Sequence, residues 1–566
     1  MPQGRLLFTL VSAVLLVLAQ PPFRIPFLPF LALVPLVVAL GRLPPGAGSR
    51  GEAARLGAVF GVVHFGILLI WIPGTVGRHF VWAWPGYGLL LVSLGALMAL
   101  AAWTVRRLAG PVGSSSPGFL PLSLAFALTW VAVEWLRSHL PLGLAWPWMG
   151  ISLSLTHTPE LLGLAEWTGE RGVALWLALV NGVLGATLLG PGAVRRGRGP
   201  QAARPGPGLR AILLPALALA ALLAPALLGH LRARSLPLEP GPTVAVVGTR
   251  VPPHLRLRPE AAAREALSQV SDHLDSLDAA LPPVSSGAPE AFRPDLVVLP
   301  EATLPLPLAS PRAAPYREEL EAMARDLGAP LLTGALGRKG GEGNPEGSLT
   351  NSAYLISPEG VAPGRYDKVH LVPGMERPPA FLPASLGERL FRGRGGSSSE
   401  TPPATRDVTR EFFSSGEEAG VLRTGGWGWA PLICYESLFA ELARRQRNRG
   451  GQVLVNLTSD VWFGTPGTLP GAPGLRQHAA HMVLRAVETR VPVARAANGG
   501  FSFLLDPRGR HLGPEVGPGG GVAVARLPVH PGSTFFAETG DLLGPGAALL
   551  CLLGILAGAR KGDSTP

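Results

Sequence analysis

Runs of apolar residues close to the length that crosses a bilayer recur along this chain, and they constrain its fold more than any other feature. A hydrocarbon core takes about 20 residues of helix. The runs Leu6–Ala19, Ile25–Leu40, Leu56–Ile72, Trp84–Val105, Phe119–Leu136, Gly172–Leu189, Ala211–Leu228 and Leu542–Ala557 approach that length. Backbone amides in lipid have no water to bond, so such segments are expected to be helices that close their hydrogen bonds internally. With 47% hydrophobic and only 15% charged residues, the chain is too apolar for an ordinary soluble enzyme. Leu, Ala and Val dominate up to about residue 230, polar residues mix in until about 530, and the last apolar run follows. The expected division is a transmembrane domain of about seven spans over residues 1–230, a polar domain over 231–535 and a C-terminal transmembrane helix over 540–558. The first two runs are short and separated by prolines, which suits a tight helical hairpin, although Met1–Gln20 also fits a signal peptide.

The formal net charge of +11 raises the question of nucleic acid, but no aromatic-basic RNA motif accompanies the arginines. They fall largely in short connections: Arg42, Arg50 and Arg55, then Arg106 and Arg107, then Arg195, Arg196, Arg198, Arg204 and Arg210, with Arg560 and Lys561 after the last run. Counting about eight spans puts all of these on one side, and cytoplasmic loops are the ones that retain positive charge. The segment from about Arg232 to Asp541 is then extracytoplasmic. The 73 Gly and 59 Pro follow no fixed period, which excludes collagen and solenoid folds.

Within that segment, short apolar runs at Thr243–Val247, Leu296–Leu299, Pro330–Ala335, Ala353–Ile356, Leu432–Cys434, Val453–Leu457, Val491–Ala494 and Phe501–Leu505 predict strands. Helical periodicity at Pro259–Ala280, Tyr316–Leu327 and Leu475–Glu488 alternates with them, which implies a sheet layered with helices. The stretch Arg392–Thr405 is rich in Gly, Ser, Pro and Thr and is expected to be an insertion in this domain.

The chain has two cysteines, Cys434 and Cys551, and the second lies in the last apolar run, so the two are not expected to pair. A lone cysteine is often a small core residue. Here, however, Cys434 ends the apolar run Trp429–Cys434 at a turn, a geometry that exposes a nucleophile beside backbone N–H groups. A thiol that attacks acyl carbon needs a proton acceptor and a donor for the oxyanion. Glu301 closes the apolar run Leu296–Pro300, and Lys368, in Gly364–Pro373, is expected just before another strand. Either residue by itself is more often solvated surface beside a strand. His478 and His481 lie three apart on a helix and are expected to be surface or packing residues, so no metal site is expected.

Several ordered motifs together resemble the nitrilase (carbon–nitrogen hydrolase) superfamily and, over nearly the whole chain, the apolipoprotein N-acyltransferase family. They are Leu299-Pro300-Glu301-Ala302-Thr303, the segment Tyr366–Pro373 with Glu376 eight residues after Lys368, and Ile433-Cys434-Tyr435-Glu436. Ser459–Gly464, Arg485–Thr489 and Arg495-Ala496-Ala497-Asn498-Gly499 continue the series. The pattern departs from the family at Val247-Gly248-Thr249, Gly374-Met375 and Ser459.

The resemblance implies an αββα nitrilase-like sandwich carried by a polytopic α-helical membrane protein. It implies Cys434 as nucleophile, Glu301 as general base and Lys368 as oxyanion stabiliser. Glu376 and Glu436 would be supporting carboxylates, with Tyr435, Trp462 and Arg495 in supporting or substrate-binding positions. It further implies an inner-membrane enzyme of bacteria with its catalytic domain on the periplasmic side. The expected partners are a phospholipid acyl donor, an apolipoprotein acceptor and membrane lipid, with no nucleic acid and no cofactor. Acyl would pass through a thioester to the α-amine of diacylglyceryl-cysteine. Two other readings use the same domain: a membrane-tethered amidase with water as acceptor, and an exported scaffold without catalysis.

Overall fold

A computed structural model describes residues 3–45, 48–78, 83–109, 120–141, 145–189, 209–252, 254–255, 258–280, 293–340, 347–378, 412–464 and 471–562. The chain divides into two compact units, one of Met1–Ser235 with Thr539–Pro566 and one of Leu236–Glu538. The stretch Arg392–Thr405 lies outside the described residues.

In the first unit the apolar runs form helices α1 (Gln3–Ala19), α2 (Val34–Gly41), α3 (Gly48–Leu68), α4 (Ala83–Ala109), α5 (Leu122–His139), α6 (Ala165–Leu188) and α7 (Leu209–Ser235), joined by the C-terminal helix Leu543–Gly562. Gly48–Gly74, Ala83–Ala109 and Ala165–Leu188 are long and apolar enough to cross a membrane by length and composition; Gln3–Ala19, Leu28–Gly41 and Leu543–Ala557 are shorter apolar helices. Helix α5 is less apolar because it carries Glu134 and Arg137. Glu134 is buried and takes hydrogen bonds from Trp130 Nε1 at 3.0 Å, the Ile151 N–H at 2.8 Å and Arg171 at 3.1 Å. The close packing of α3 on α4 depends on Gly57, where a Cβ would sit 2.1 Å from the Met98 carbonyl oxygen.

Among the described residues the second unit contains twelve strands: β1 (Thr243–Gly248), β2 (Leu296–Val298), β3 (Leu304–Pro307), β4 (Leu331–Arg338), β5 (Leu349–Ser357), β6 (Gly360–Asp367), β7 (Leu422–Thr424), β8 (Trp427–Ile433), β9 (Val453–Ser459), β10 (Val493–Asn498), β11 (Phe503–Leu505) and β12 (Gly521–Arg526). One sheet runs β12-β1-β2-β4-β5-β6 with β3 beside β4, and the other runs β11-β10-β9-β8-β7. Alternating side chains sort into two cores, as the two-residue period of a strand requires. Val244, Val246, Val298 and Leu332 of the first sheet face Trp429, Ile433, Val455 and Leu457 of the second. Ala245, Val247, Val297 and Leu331 face the other way, against α8 (Pro259–Ala280) and α9 (Ala314–Leu327). The helices α10 (Ala440–Asn448) and α11 (Gly471–Thr489) accompany the second sheet, and Gln446 of α10 donates to the Pro431 carbonyl. The layers are helix, sheet, sheet, helix.

Each of the eight apolar runs read as strands contains one, but β3, β6, β7, β12 and α10 were not predicted. Pro305 and Pro307 in β3, and Gly360, Pro363 and Gly364 in β6, are residues that weaken a strand pattern. The environment of Lys368 corrects the expectation most directly, because Lys368 follows strand β6 and does not precede one. The chain beyond it cannot join a ladder, because carboxylates hold its amides. Glu436 takes the N–H groups of Val369 at 2.6 Å and His370 at 3.1 Å, and Glu376 takes that of Val372 at 2.8 Å.

Candidate active site

Two sheets ending at one place bring the expected residues together. Glu301 sits three residues beyond β2, in a turn where Ala302 has φ 53°. That turn presses on β4 at Gly334, where a Cβ would come within 2.7 Å of the Glu301 Cα and 2.6 Å of the Ala302 nitrogen. Lys368 leaves β6 with its ammonium 3.2 Å from Glu301 Oε1 and 2.8 Å from Glu376 Oε1. Asn351 of β5 donates to both carboxylates, at 2.8 Å to Glu301 and 3.1 Å to Glu376. Glu301 Oε2 takes the Ser459 N–H at 2.8 Å, from the end of β9 in the other sheet. Every one of these partners donates, so Glu301 is held as an acceptor.

Cys434 follows β8 with φ 52° and is half-buried. A left-handed conformation costs a non-glycine residue about 1–2 kcal/mol, and it persists here because the turn is tied down. Glu436, fully buried, accepts the Ile433 N–H at 2.7 Å and the Tyr366 hydroxyl at 2.8 Å, as well as the Val369 and His370 amides. This one carboxylate fastens the Cys434 turn to the segment that carries Lys368.

Burial pushes the Cys434 thiol well above its ordinary value, and the Glu301 carboxylate adds to this, whereas Lys368 and the nearby Thr458 hydroxyl oppose it. Burial acts to discharge Lys368, yet Glu301 and Glu376 outweigh it and hold the ammonium above its ordinary value. The resting site therefore contains a thiol, not a thiolate, beside a permanent cation. Attack by sulfur needs a base to take the proton as the bond forms.

Beneath the Cys434 turn lies a second polar cluster. Arg495 reaches Asp460 at 2.6 Å and also contacts Asn456, the Thr458 hydroxyl donates to Asp460 at 2.9 Å, and His478 Nδ1 is 2.8 Å from Asp460. All of these side chains are buried, so Arg495 belongs to the support under the turn and not to an open surface. His478 and His481 are both buried, not on the surface. Tyr435 is buried with its ring edge-on to Phe439 at 5.2 Å, and Phe439 stacks on His370 at 3.8 Å. Trp462 is half-buried in the turn Val461–Phe463.

Burial opposes ionisation of Asp460, but Arg495 and His478 bring its carboxyl from 3.8 down to about 2. A folded value below the unfolded one stabilises the fold above the unfolded value, and that stability is lost as pH falls through the folded value. Asp460 should thus contribute about 2 kcal/mol at neutral pH. In urea unfolding, the stability advantage of the parent over Asp460→Asn should shrink by about this amount from pH 5 towards pH 2. An unchanged difference would show that Asp460 is not held ionised by the cluster.

A family model described as carbon-nitrogen hydrolase matches residues 245–530, and one described as apolipoprotein N-acyltransferase N-terminal domain matches residues 12–183. An apolipoprotein N-acyltransferase of Geobacter metallireducens is 30% identical over 562 residues, covering 98% of this chain and 95% of that protein. This chain belongs to the apolipoprotein N-acyltransferase family. A second member, from Rhizobium meliloti, is 32% identical over 511 residues, 88% of this chain and 85% of its own length. Among solved structures, an amidase from Nesterenkonia sp. aligns at 20% identity over 55% of this chain and 98% of its own, with a TM-score of 0.34. The hydrolase match contains Glu301, Lys368 and Cys434 alike.

Sequence reasoning singled out Glu301, Lys368, Cys434, Glu376 and Glu436, and the structure brings all five together. It gave no role to Asn351, Thr458 or Asp460, and it missed the contacts of His478. The signal available for Asp460 was its place in the Ser459–Gly464 motif. Asn351 is one polar residue within a strand, and no spacing distinguishes it. At the departure Val247-Gly248-Thr249, Thr249 bonds Asn498 at 3.2 Å.

Proposed function

We propose that this member of the family transfers a fatty acyl chain from a phospholipid to the N-terminal α-amine of diacylglyceryl-cysteine in apolipoproteins, with Cys434, Glu301 and Lys368 carrying the chemistry. The contact that supports this most is Lys368 bridging Glu301 and Glu376, at 3.2 and 2.8 Å, beside a cysteine held in a left-handed turn. In the first half-reaction Glu301 takes the proton of the Cys434 thiol as sulfur attacks the ester carbonyl. Lys368 holds the oxyanion, and the carbon–oxygen ester bond breaks. The proton passes from Glu301 to the leaving oxygen, which departs as lysophospholipid. In the second, the neutral amine attacks the thioester, its proton goes to Glu301, and collapse forms the amide. The thiolate takes that proton back. Glu376 and Asn351 keep Lys368 and Glu301 in register, and Glu436 keeps the turn of Cys434 and Tyr435 in place. Trp462, partly accessible, is assigned a substrate-binding role by the family resemblance, and no cofactor or metal enters these steps.

The chain acts in the bacterial inner membrane with residues 1–230 as about seven spans, the catalytic domain of 231–535 between the seventh and eighth, and 540–558 as the eighth. The one-sided arginines put that domain on the periplasmic face. Donor and acceptor are both lipid-anchored, which suits an enzyme anchored in the same bilayer. The test is to mix purified protein with phospholipid carrying a labelled acyl chain. A hydroxylamine-labile adduct on Cys434 is expected, and it should be discharged onto a diacylglyceryl peptide added later. Release of free fatty acid without transfer would favour the amidase reading, and absence of any adduct would favour the scaffold.

A further inference from the structure

The ring of His478 joins the support cluster to the nucleophile's own backbone. It lies on α11, is buried, and sets Nδ1 2.8 Å from Asp460 Oδ1 and Nε2 3.1 Å from the Cys434 carbonyl oxygen. A peptide carbonyl can only accept, so Nε2 donates to Cys434, while Nδ1 faces both Asp460 and, at 3.4 Å, the Arg495 guanidinium. Its orientation is determined from behind, because Asp460 is itself gripped by Arg495 at 2.6 Å and Thr458 at 2.9 Å. Phe463 packs on the ring at 5.5 Å between centroids. Gly500 leaves room for Asp460, since a Cβ there would fall 2.3 Å from Asp460 Oδ2.

A trans peptide is planar, so fixing the Cys434 carbonyl also fixes the Tyr435 N–H, which points away from it. The same bond holds the left-handed turn from which the thiol projects. We infer that His478 is a positioning residue for acyl transfer: held by Asp460 and Arg495, it clamps the Cys434–Tyr435 peptide and so sets the direction of both the thiol and the amide donor beside it. The inference rests on the assignment of Cys434 as nucleophile.

Three substitutions separate this role from simple packing, each made in full-length protein with Cys551→Ser so that one thiol remains. His478→Gln can extend an amide N–H to the Cys434 carbonyl. His478→Asn is shorter and reaches only Asp460, and His478→Leu reaches neither. The Leu and Asn variants should lose about 10- to 100-fold in kcat, with KM within about twofold of the parent. The Gln variant should recover most of that loss. Alkylation of Cys434 by iodoacetamide should fall in the same order, which reports on the thiol whatever the acyl substrate is. Asn matching Gln, or all three retaining parental kcat, would overturn the clamp. Should the Leu variant fail to fold, the comparison of Gln with Asn decides alone. Full activity of Cys434→Ser is the separate result that would remove the nucleophile assignment itself.

Discussion

Cys434→Ser is expected to reduce acyl transfer by about 10⁴-fold or more, the scale seen when a covalent nucleophile is removed, and to leave no thioester to trap. The size of the effect follows from the proton inventory of the site. Cys434 rests as a thiol because burial and the neighbouring Glu301 carboxylate both penalise its anion. In the proposed mechanism attack is coupled to proton transfer onto Glu301, and a serine hydroxyl, far less acidic than a thiol, would ask the same carboxylate to remove a much more tightly held proton. The substitution changes one atom at a site where the turn is held by Glu436 and His478, so folding should be unaffected. Cys551→Ser is the control. That thiol is buried in the C-terminal helix with the Thr129 hydroxyl 3.8 Å away, in the other unit of the chain. Turnover, trapped acyl-enzyme and thermal unfolding are the measurements, and equal losses from the two substitutions would end the assignment of Cys434.

Lys368→Met is expected to lower kcat by about 10²–10³-fold, the loss typical of one oxyanion donor, and to do more than that to the protein. Lys368 is 1% exposed and is the cation between Glu301 and Glu376. Without it, two carboxylates that share Asn351 face each other in a buried site, and one must take up a proton. Removing one partner of such a group costs about 3–5 kcal/mol. Glu301→Gln should be gentler on the fold and as severe on catalysis. Its amide keeps the size of the carboxylate, but one side now presents N–H to partners that all donate. The proposed base is gone, so acyl-enzyme should not form. Folded Lys368→Met or Glu301→Gln protein accumulating thioester at the parental rate would show that these side chains do not serve Cys434.

The strands that sequence revealed are those whose apolar residues are continuous, such as β1, β2 and β9, where burial on both faces removes the need for alternation. Two of those it hid, β3 and β6, contain proline and survive because a neighbour supplies the pairing. β6 is held by β5 through Ala353↔Tyr366 and Ser352↔Asp367, although its middle carries Pro363 and Gly364. Lys368 was recognisable as a catalytic candidate while its place in the secondary structure was not. The segment after it owes its shape to Glu436 and Glu376, one of them almost seventy residues away along the chain.

Sequence alone marked out the apolar runs, the α/β character of the polar segment between them and the side chains proposed to react. Hydrophobic period, residue length and functional-group chemistry are local properties, written into each segment wherever it ends up. Tertiary structure alone decided which acceptors and donors meet. Asn351 lies between Glu301 and Glu376, Ser459 in the opposite sheet caps Glu301, and His478 reaches the Cys434 carbonyl from a helix 44 residues further on. Hydrogen bonds form over about 3 Å of space regardless of separation along the chain, so partners of this kind become visible only when the two sheets are stacked.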